Sequence, residues 1–312
     1  MRNLHRLIWL MLICFAFEKQ VQGQEYPWSL QYITNMSTIN PAYVGMWDKS
    51  GLMVSTRTNW VGIKGAPLFQ HASYFTPVKN QRSGVGMEVQ LLNTGLEKRI
   101  FLTGDYSYQV RMDFNHFLRF GMRVGVINFS NNLTDYQLYP DHKYDSEFAE
   151  DIWMYNMTTF GMGGVFFTRD YYISLSLPNV INNTFKVNAN HYSSLHNFNT
   201  VYLAGSYVFS LGQEIRFRPN LLIIASANRP VYFDAAALIY LPSNLQLGLN
   251  LRSNGAVCLS AQYTFQNRMK IGYASEYALV QDIRKFQVGT YELLIGYEFN
   301  VNKRKYSRPN YF

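Results

Sequence analysis

The sequence predicts an all-β transmembrane barrel of about 14 antiparallel strands after a cleaved signal peptide. Three observations carry that expectation. Aromatic residues make up 16% of the 312-residue chain and charged residues only 15%, at a mean hydropathy of -0.15. That balance suits an apolar outer face banded by aromatics around a polar interior. Apolar and polar residues then alternate with period two in run after run. The connections between the runs also sort by length, every second one being a short turn.

The N-terminus comes first. Arg2, His5 and Arg6 form a basic start, and Leu7 to Phe17 is an unbroken apolar run. Val21-Gln22-Gly23 offers the modest side chains that signal peptidase reads, so cleavage is expected before Gln24. The apolar run has about 11 residues, against the roughly 20 of a spanning helix. No other run approaches that length, so any membrane insertion must use strands. Residues 1–23 are thus read as a signal peptide and 24–50 as a periplasmic or lumen-plugging segment. The barrel then covers 51–301, and 302–312 form a basic tail around Lys303-Arg304-Lys305. Cleavage after Gly23 leaves Cys258 alone, which excludes an internal disulfide framework.

Strands are expected at 51–60, 69–77, 83–93, 99–111, 116–129, 158–168, 170–177, 198–210, 214–225, 231–241, 244–253, 256–265, 268–277 and 288–301. The 244–252 run shows the pattern well. Leu245, Leu247, Leu249 and Leu251 share one face, and Gln246, Gly248, Asn250 and Arg252 share the other. A slip by one residue would invert every such face, so register is tightly specified. The turns at 77–82, 112–115, 168–170, 211–213, 242–243 and 266–267 are short, whereas 130–157, 178–197 and 278–287 are long. Bacterial barrels place short turns in the periplasm and long loops outside.

The polar face is expected to line the lumen with Arg57, Arg111, Arg119, Arg123, Arg216, Arg218, Arg252, Arg268 and Lys270, opposed by Glu88, Asp105, Glu276 and Glu298. Such a set makes either an ion-paired core or a basic pore or cradle for an acidic segment. The net charge of +8 is spread over strands and tail without a recognition helix or stacking module, which argues against nucleic acid. No nucleophile elbow, zinc-protease helix motif or phosphate-cradling loop occurs. The pair His191 and His196 lies in a loop with no adjacent carboxylate, so no metal site is read there. No cofactor and no catalytic residue is expected. The acid-rich stretch from Ser130 to Asp151 reads as a solvated outer loop whose tyrosines suit protein contact.

Two boxes near the start of the mature chain stand apart from this pattern. One is Asn40-Pro41-Ala42-Tyr43-Val44-Gly45; the other runs from Arg57 through Trp60, Gly62 and Gly65 to Ala66-Pro67. With Gln31-Tyr32 upstream and Gly84-Val-Gly86, Gly272-Tyr273 and Tyr291-Glu292 downstream, the chain resembles the PorP/SprF family. One departure is Thr290-Tyr291, where that family often has Ser-His before the Glu of its last strand. The resemblance implies a non-enzymatic outer-membrane component of the type IX secretion and gliding machinery of Bacteroidetes, exported by its signal peptide. It implies type IX subunits, periplasmic peptidoglycan-linking proteins and cargo C-terminal domains as partners. Physically, Pro41 and Gly45 make turns before the barrel, and Gly62, Gly65 and Pro67 shape the first outer loop beside an interfacial Trp60. The boxes therefore serve either the first hairpin or a docking partner. A passive channel or substrate-specific porin is the alternative function.

Overall fold

A strand crossing lipid must pair both edges, so a sheet in a bilayer has to close on itself. In the computed structural model it does. The structure describes residues 29–46, 49–78, 82–135, 151–180, 183–187, 192–196, 200–226, 229–266, 268–279 and 288–300. The expected signal peptide and basic tail lie outside these residues.

The wall begins with β1 (Lys49–Thr58), β2 (Leu68–Pro77), β3 (Ser83–Thr94), β4 (Glu97–Arg111), β5 (Phe117–Asn131), β6 (Ile152–Phe167) and β7 (Tyr171–Leu177). A hairpin, β8 (Asn183–Val187) with β9 (Tyr192–His196), forms its own two-stranded sheet outside the wall. The wall resumes with β10 (Thr200–Tyr207), β11 (Phe209–Leu211), β12 (Ile215–Ser226), β13 (Arg229–Tyr240), β14 (Leu245–Arg252), β15 (Ala256–Phe265), β16 (Met269–Ala278) and β17 (Thr290–Asn300). Each strand pairs antiparallel with its neighbours in the wall. The circle closes where β1 pairs β17 from Lys49↔Asn300 to Thr58↔Tyr291. β10 and β11 are one strand interrupted at Val208, so the barrel has 14 strands.

Alternation dictates which side faces lipid. Along β14, Leu247, Leu249 and Leu251 are exposed while Asn250 and Arg252 are buried inside. The same inversion of the soluble-protein pattern recurs in β4, β5, β15 and β17, where exposed apolar positions alternate with buried polar ones. On the outer face near the short turns, rings adjoin from strand to strand. His116–Phe166, Phe166–Tyr171, Tyr171–Tyr207, Tyr207–Phe209 and Phe209–Phe217 lie 5.8, 6.1, 6.3, 4.6 and 6.3 Å apart. This is an aromatic girdle at a membrane interface. The girdle shows where this end of the wall meets the interface, and the short turns there make it the periplasmic end, with the long connections outside.

Three sequence readings change in detail. β6 starts at Ile152, six residues before position 158, and β5 runs on to Asn131. These extensions stand on the long-loop side, where no lipid imposes alternation. The expected strand at 198–210 breaks at Val208, whose N–H donates to the Asp170 carbonyl at 2.7 Å. The long 178–197 connection contains the β8–β9 hairpin.

Leu249 sits mid-strand on the lipid face. Leu249→Arg is expected to destabilise the barrel by about 2–4 kcal/mol, read by urea unfolding in liposomes. An effect near zero would remove this face from the bilayer.

Candidate functional site: a strap through the lumen

Side chains alone fill barrels of about eight strands, whereas 16 or more leave a channel unless something plugs it. Here the space is occupied by residues 29–46 of the chain itself. Leu30, Tyr32, Met36, Ala42, Tyr43 and Val44 are all buried. The segment folds into tight turns, with 3-10 turns at Met36–Thr38 and Pro41–Tyr43. Asn40 caps the second, its Oδ1 accepting the Ala42 N–H at 2.8 Å, and Pro41 takes the first position, where no donor is needed. Gly45, at φ 66°, turns the chain toward β1.

The strap starts near the outer end and descends to the periplasmic mouth. At its start, Ser29 Oγ and the Leu30 N–H both donate to Glu292, at 2.5 and 2.6 Å. Arg57 stands directly opposite Glu292 in the β1–β17 ladder and is buried. Tyr32 donates to Asp234 at 3.3 Å and accepts from Asn220 at 3.0 Å. Thr34 reaches Gln262 and Asn35 reaches Ser73, each at 2.9 Å. Arg123 Nη2 donates to the Ser37 carbonyl at 2.7 Å while the same guanidinium holds Asp105 and Glu88, each at 2.7 Å. Asn40 Nδ2 donates to Ser174 Oγ at 2.8 Å, and Ser176 Oγ donates to the Ile39 carbonyl at 2.6 Å. Val44 offers its carbonyl to Arg119 Nη2 at 2.8 Å and Ser107 Oγ at 2.5 Å. Nearly every part of the wall therefore holds one point of the strap.

Glycines clear its path. A Cβ on Gly121 would lie 2.2 Å from the Ala42 nitrogen, and one on Gly84 would lie 2.2 Å from the Val44 carbonyl oxygen. On Gly163 it would strike Asn40 Oδ1 at 2.1 Å. The wall is thus shaped around this backbone.

The interior divides in two. Over β6, β7, β10, β12 and β13 the strap's Tyr32, Ile33, Met36, Ile39, Ala42 and Tyr43 pack on apolar residues such as Val165, Tyr172, Leu222 and Ile224. Tyr43 meets Tyr172 edge-on at 5.8 Å, and Arg218 lies 5.6 Å over the same Tyr172 ring. Over the remaining wall, ion pairs prevail. His71 approaches Glu88 at 2.8 Å, and Arg252 holds Asp234 at 2.9 Å and Glu276 beside it.

The structure separates the residues singled out in the sequence. Asn40, Pro41, Ala42, Tyr43 and Gly45 lie in the lumen. Arg119, Arg123, Arg218 and Arg252 are buried there too, each bonded to wall or strap. Arg111, Arg216 and Arg268 stand instead at the periplasmic rim; Arg111 and Arg268 are exposed and Arg216 is half-buried. The second box is not joined to the first. Beyond Arg57 it forms the outer loop, where Val61 and Val288–Gly289 exchange backbone hydrogen bonds at 2.9 Å and Gly95 donates to Gly65 at 2.9 Å. Trp60 (φ 46°), Gly62 (102°) and Gly65 (75°) adopt the positive φ that this loop demands. Glu292 entered the sequence reading only with Tyr291, in the likeness to the family, and not as a clasp for the strap; Asp234, Ser107 and the clearing glycines Gly121 and Gly163 were not singled out. Small residues in the inward phase of β5 and β6 are the signal that points to them. Among the described residues no cluster of three or more metal-ligating side chains occurs.

With this geometry in hand, comparison with known proteins is decisive. The model of the type IX secretion system membrane protein PorP/SprF family matches residues 21–297. The chain belongs to the PorP/SprF family. Its barrel is similar to the CymD monoaromatic hydrocarbon channel at TM-score 0.50 and 10% identity, covering 89% of this chain and 94% of that one. It is also similar to a Pseudomonas aeruginosa FadL homologue (TM-score 0.49, 11% identity, 90% and 96% covered). A third is the Acinetobacter baumannii outer membrane protein Omp33 (0.46, 8%, 82% and 99%). At such identities the likeness concerns fold alone. A search of curated proteins finds no match. The family and the barrel place this PorP/SprF protein in the outer membrane.

Two variants probe the strap. Gly121→Leu drives a side chain into the Ala42 backbone and is expected to expel the strap and raise single-channel conductance in planar bilayers. An intact barrel with unchanged conductance would mean that the strap does not seal the lumen. Arg123→Ala strips a buried cation from Glu88 and Asp105, so a loss of about 3–5 kcal/mol is expected in urea unfolding.

Proposed function

We propose that this PorP/SprF protein is a sealed, non-enzymatic component of the type IX secretion and gliding machinery. It assists the secretion or surface attachment of cargo proteins that carry C-terminal sorting domains. The observation that carries this reading is the lumen strap in a chain of this family. A transport pore needs a continuous aqueous path, whereas here the chain fills its own interior with paired side chains. This also disfavours the passive channel or porin. Other secretion subunits, periplasmic peptidoglycan-linking proteins and cargo C-terminal domains would engage the ends of the barrel. Export would follow cleavage after Gly23. The two boxes then divide the labour: Asn40 to Gly45 lock the plug, and Trp60 to Pro67 shape the rim that faces cargo.

The test compares the secreted and cell-surface proteins of a deletion strain with those of its parent, checking outer-membrane integrity in parallel. Selective loss of proteins with C-terminal sorting domains is expected. An unchanged secretome with impaired small-solute uptake would replace this reading with the porin.

A further inference from the structure

The periplasmic mouth carries charge that the lumen network does not consume. Arg82, Arg111, Arg216 and Arg268 sit at four different short-turn connections. Among the described residues, none of these four forms an ion pair with a carboxylate. Arg111 Nε donates only to the Asp113 carbonyl at 2.8 Å, and Arg216 Nη1 to turn carbonyls such as Gln213 at 3.2 Å. Arg169 adds a fifth cation, exposed on the β6–β7 turn.

Among the described residues, the acids at this end are fewer and partly engaged. Glu298 is held by Lys49 at 2.9 Å and Lys270 at 2.5 Å, and Asp113 by His116 at 2.7 Å. Asp170 and Glu214 are exposed. Among the described residues, the rim is net positive.

Phase decides what this charge faces. Arg82, Arg111, Arg216 and Arg268 continue the inward series of Gly84 and Glu88, Asp105 and Ser107, Arg218 and Asn220, and Gly272 and Ala274. They ring the lumen mouth, and the lipid phosphates lie on the other phase. A body that covers the mouth would meet all four.

An apolar anchor stands beside them. Phe114, at the tip of the β4–β5 turn, is 87% exposed. The turn is held rigidly: Asp113 Oδ1 accepts the Asn115 and His116 N–H groups at 2.8 and 2.9 Å. The Arg111 guanidinium lies 5.2 Å from the Phe114 ring centroid. Hydrogen bonds from the Asn115 backbone, the His116 side chain and the His116 backbone keep the Asp113 carboxyl below its ordinary value. A depressed carboxyl stabilises the turn above the unfolded pKa and releases it only as pH falls through the folded one, so the turn is held at neutral pH. Aromatic and Arg side chains on a preorganised surface are the ingredients of a protein-binding hot spot.

We propose that the periplasmic mouth is a docking surface for an acidic protein, gripped by Arg82, Arg111, Arg216 and Arg268 and anchored on Phe114. This rests on the secretion reading only in naming the partner's compartment; the surface chemistry stands by itself.

Two measurements test it on the full-length barrel. In phosphatidylcholine nanodiscs, a fluorescent oligoglutamate peptide should bind with an affinity that falls steeply with salt. Binding should weaken at least about tenfold when all four arginines become Gln, as expected for electrostatic grip. In cells, a benzophenone amino acid replacing Phe114 should give a discrete protein adduct that the four-arginine variant loses at equal barrel abundance. Equal peptide binding by both proteins would overturn the proposal. So would adducts of phospholipid mass alone, which would make the rim a membrane contact. Peptide binding does not depend on secretion, so an unchanged secretome in the deletion strain would sink the secretion reading and leave this one standing.

Discussion

Closure sets the terms for everything else in this molecule. Lipid forces the sheet into a ring, and a ring of this strand number encloses more space than its own side chains fill. The enclosed volume must then be water or protein. The residues before β1 supply the protein, and the inward faces of the wall are adapted to them: glycines where the strap's backbone passes, serine hydroxyls and arginines where its carbonyls point, and the Glu292 carboxylate where the Leu30 N–H points. The filled interior, the buried charges and the inward glycines along the strap's path all follow from that one requirement.

The division of the lumen has an energetic logic. Burying an ion pair returns little net stability, since desolvation offsets most of the Coulomb gain, yet breaking one is costly. The apolar half of the strap, from Tyr32 to Tyr43, supplies the burial that drives it inward. The ionic half supplies discrimination: Arg123, Arg119 and Glu292 each bind particular backbone atoms and fix the strap's path. A strap shifted by one residue would leave those charges buried without partners. Apolar packing sets how firmly the lumen is filled, and the charges set in what register.

How far the sequence could be read follows from the same physics. Lipid on one face and polar interior on the other write a period of two into every crossing, so the strands at Lys49–Thr58 or Ala256–Phe265 were legible within a few residues. Where lipid ends the signal ends, which is why β6 begins earlier than expected and the β8–β9 hairpin went unread. Phase identified Arg119, Arg123, Arg218 and Arg252 as inward, and it identified Arg111, Arg216 and Arg268 equally; depth along the strand, which phase does not carry, separates core from rim. The strap's latch was not legible at all. Leu30 and Glu292 are 262 residues apart, and nothing local in either marks the other.

That latch ties the two ends of the barrel chain together. Residues 29–46 lead straight into the first strand, while their start is clasped by Glu292 of the last strand, beside the ladder that joins β1 to β17. The segment is therefore an internal brace across the seam between the earliest and latest strands made. Filling and closing therefore share a residue: the last strand completes the ladder with β1 and also holds the start of the brace. In a chain closed around an empty lumen, Glu292 would face water across from Arg57 without its Ser29 and Leu30 donors, so the same contacts that fill the interior also clasp the seam.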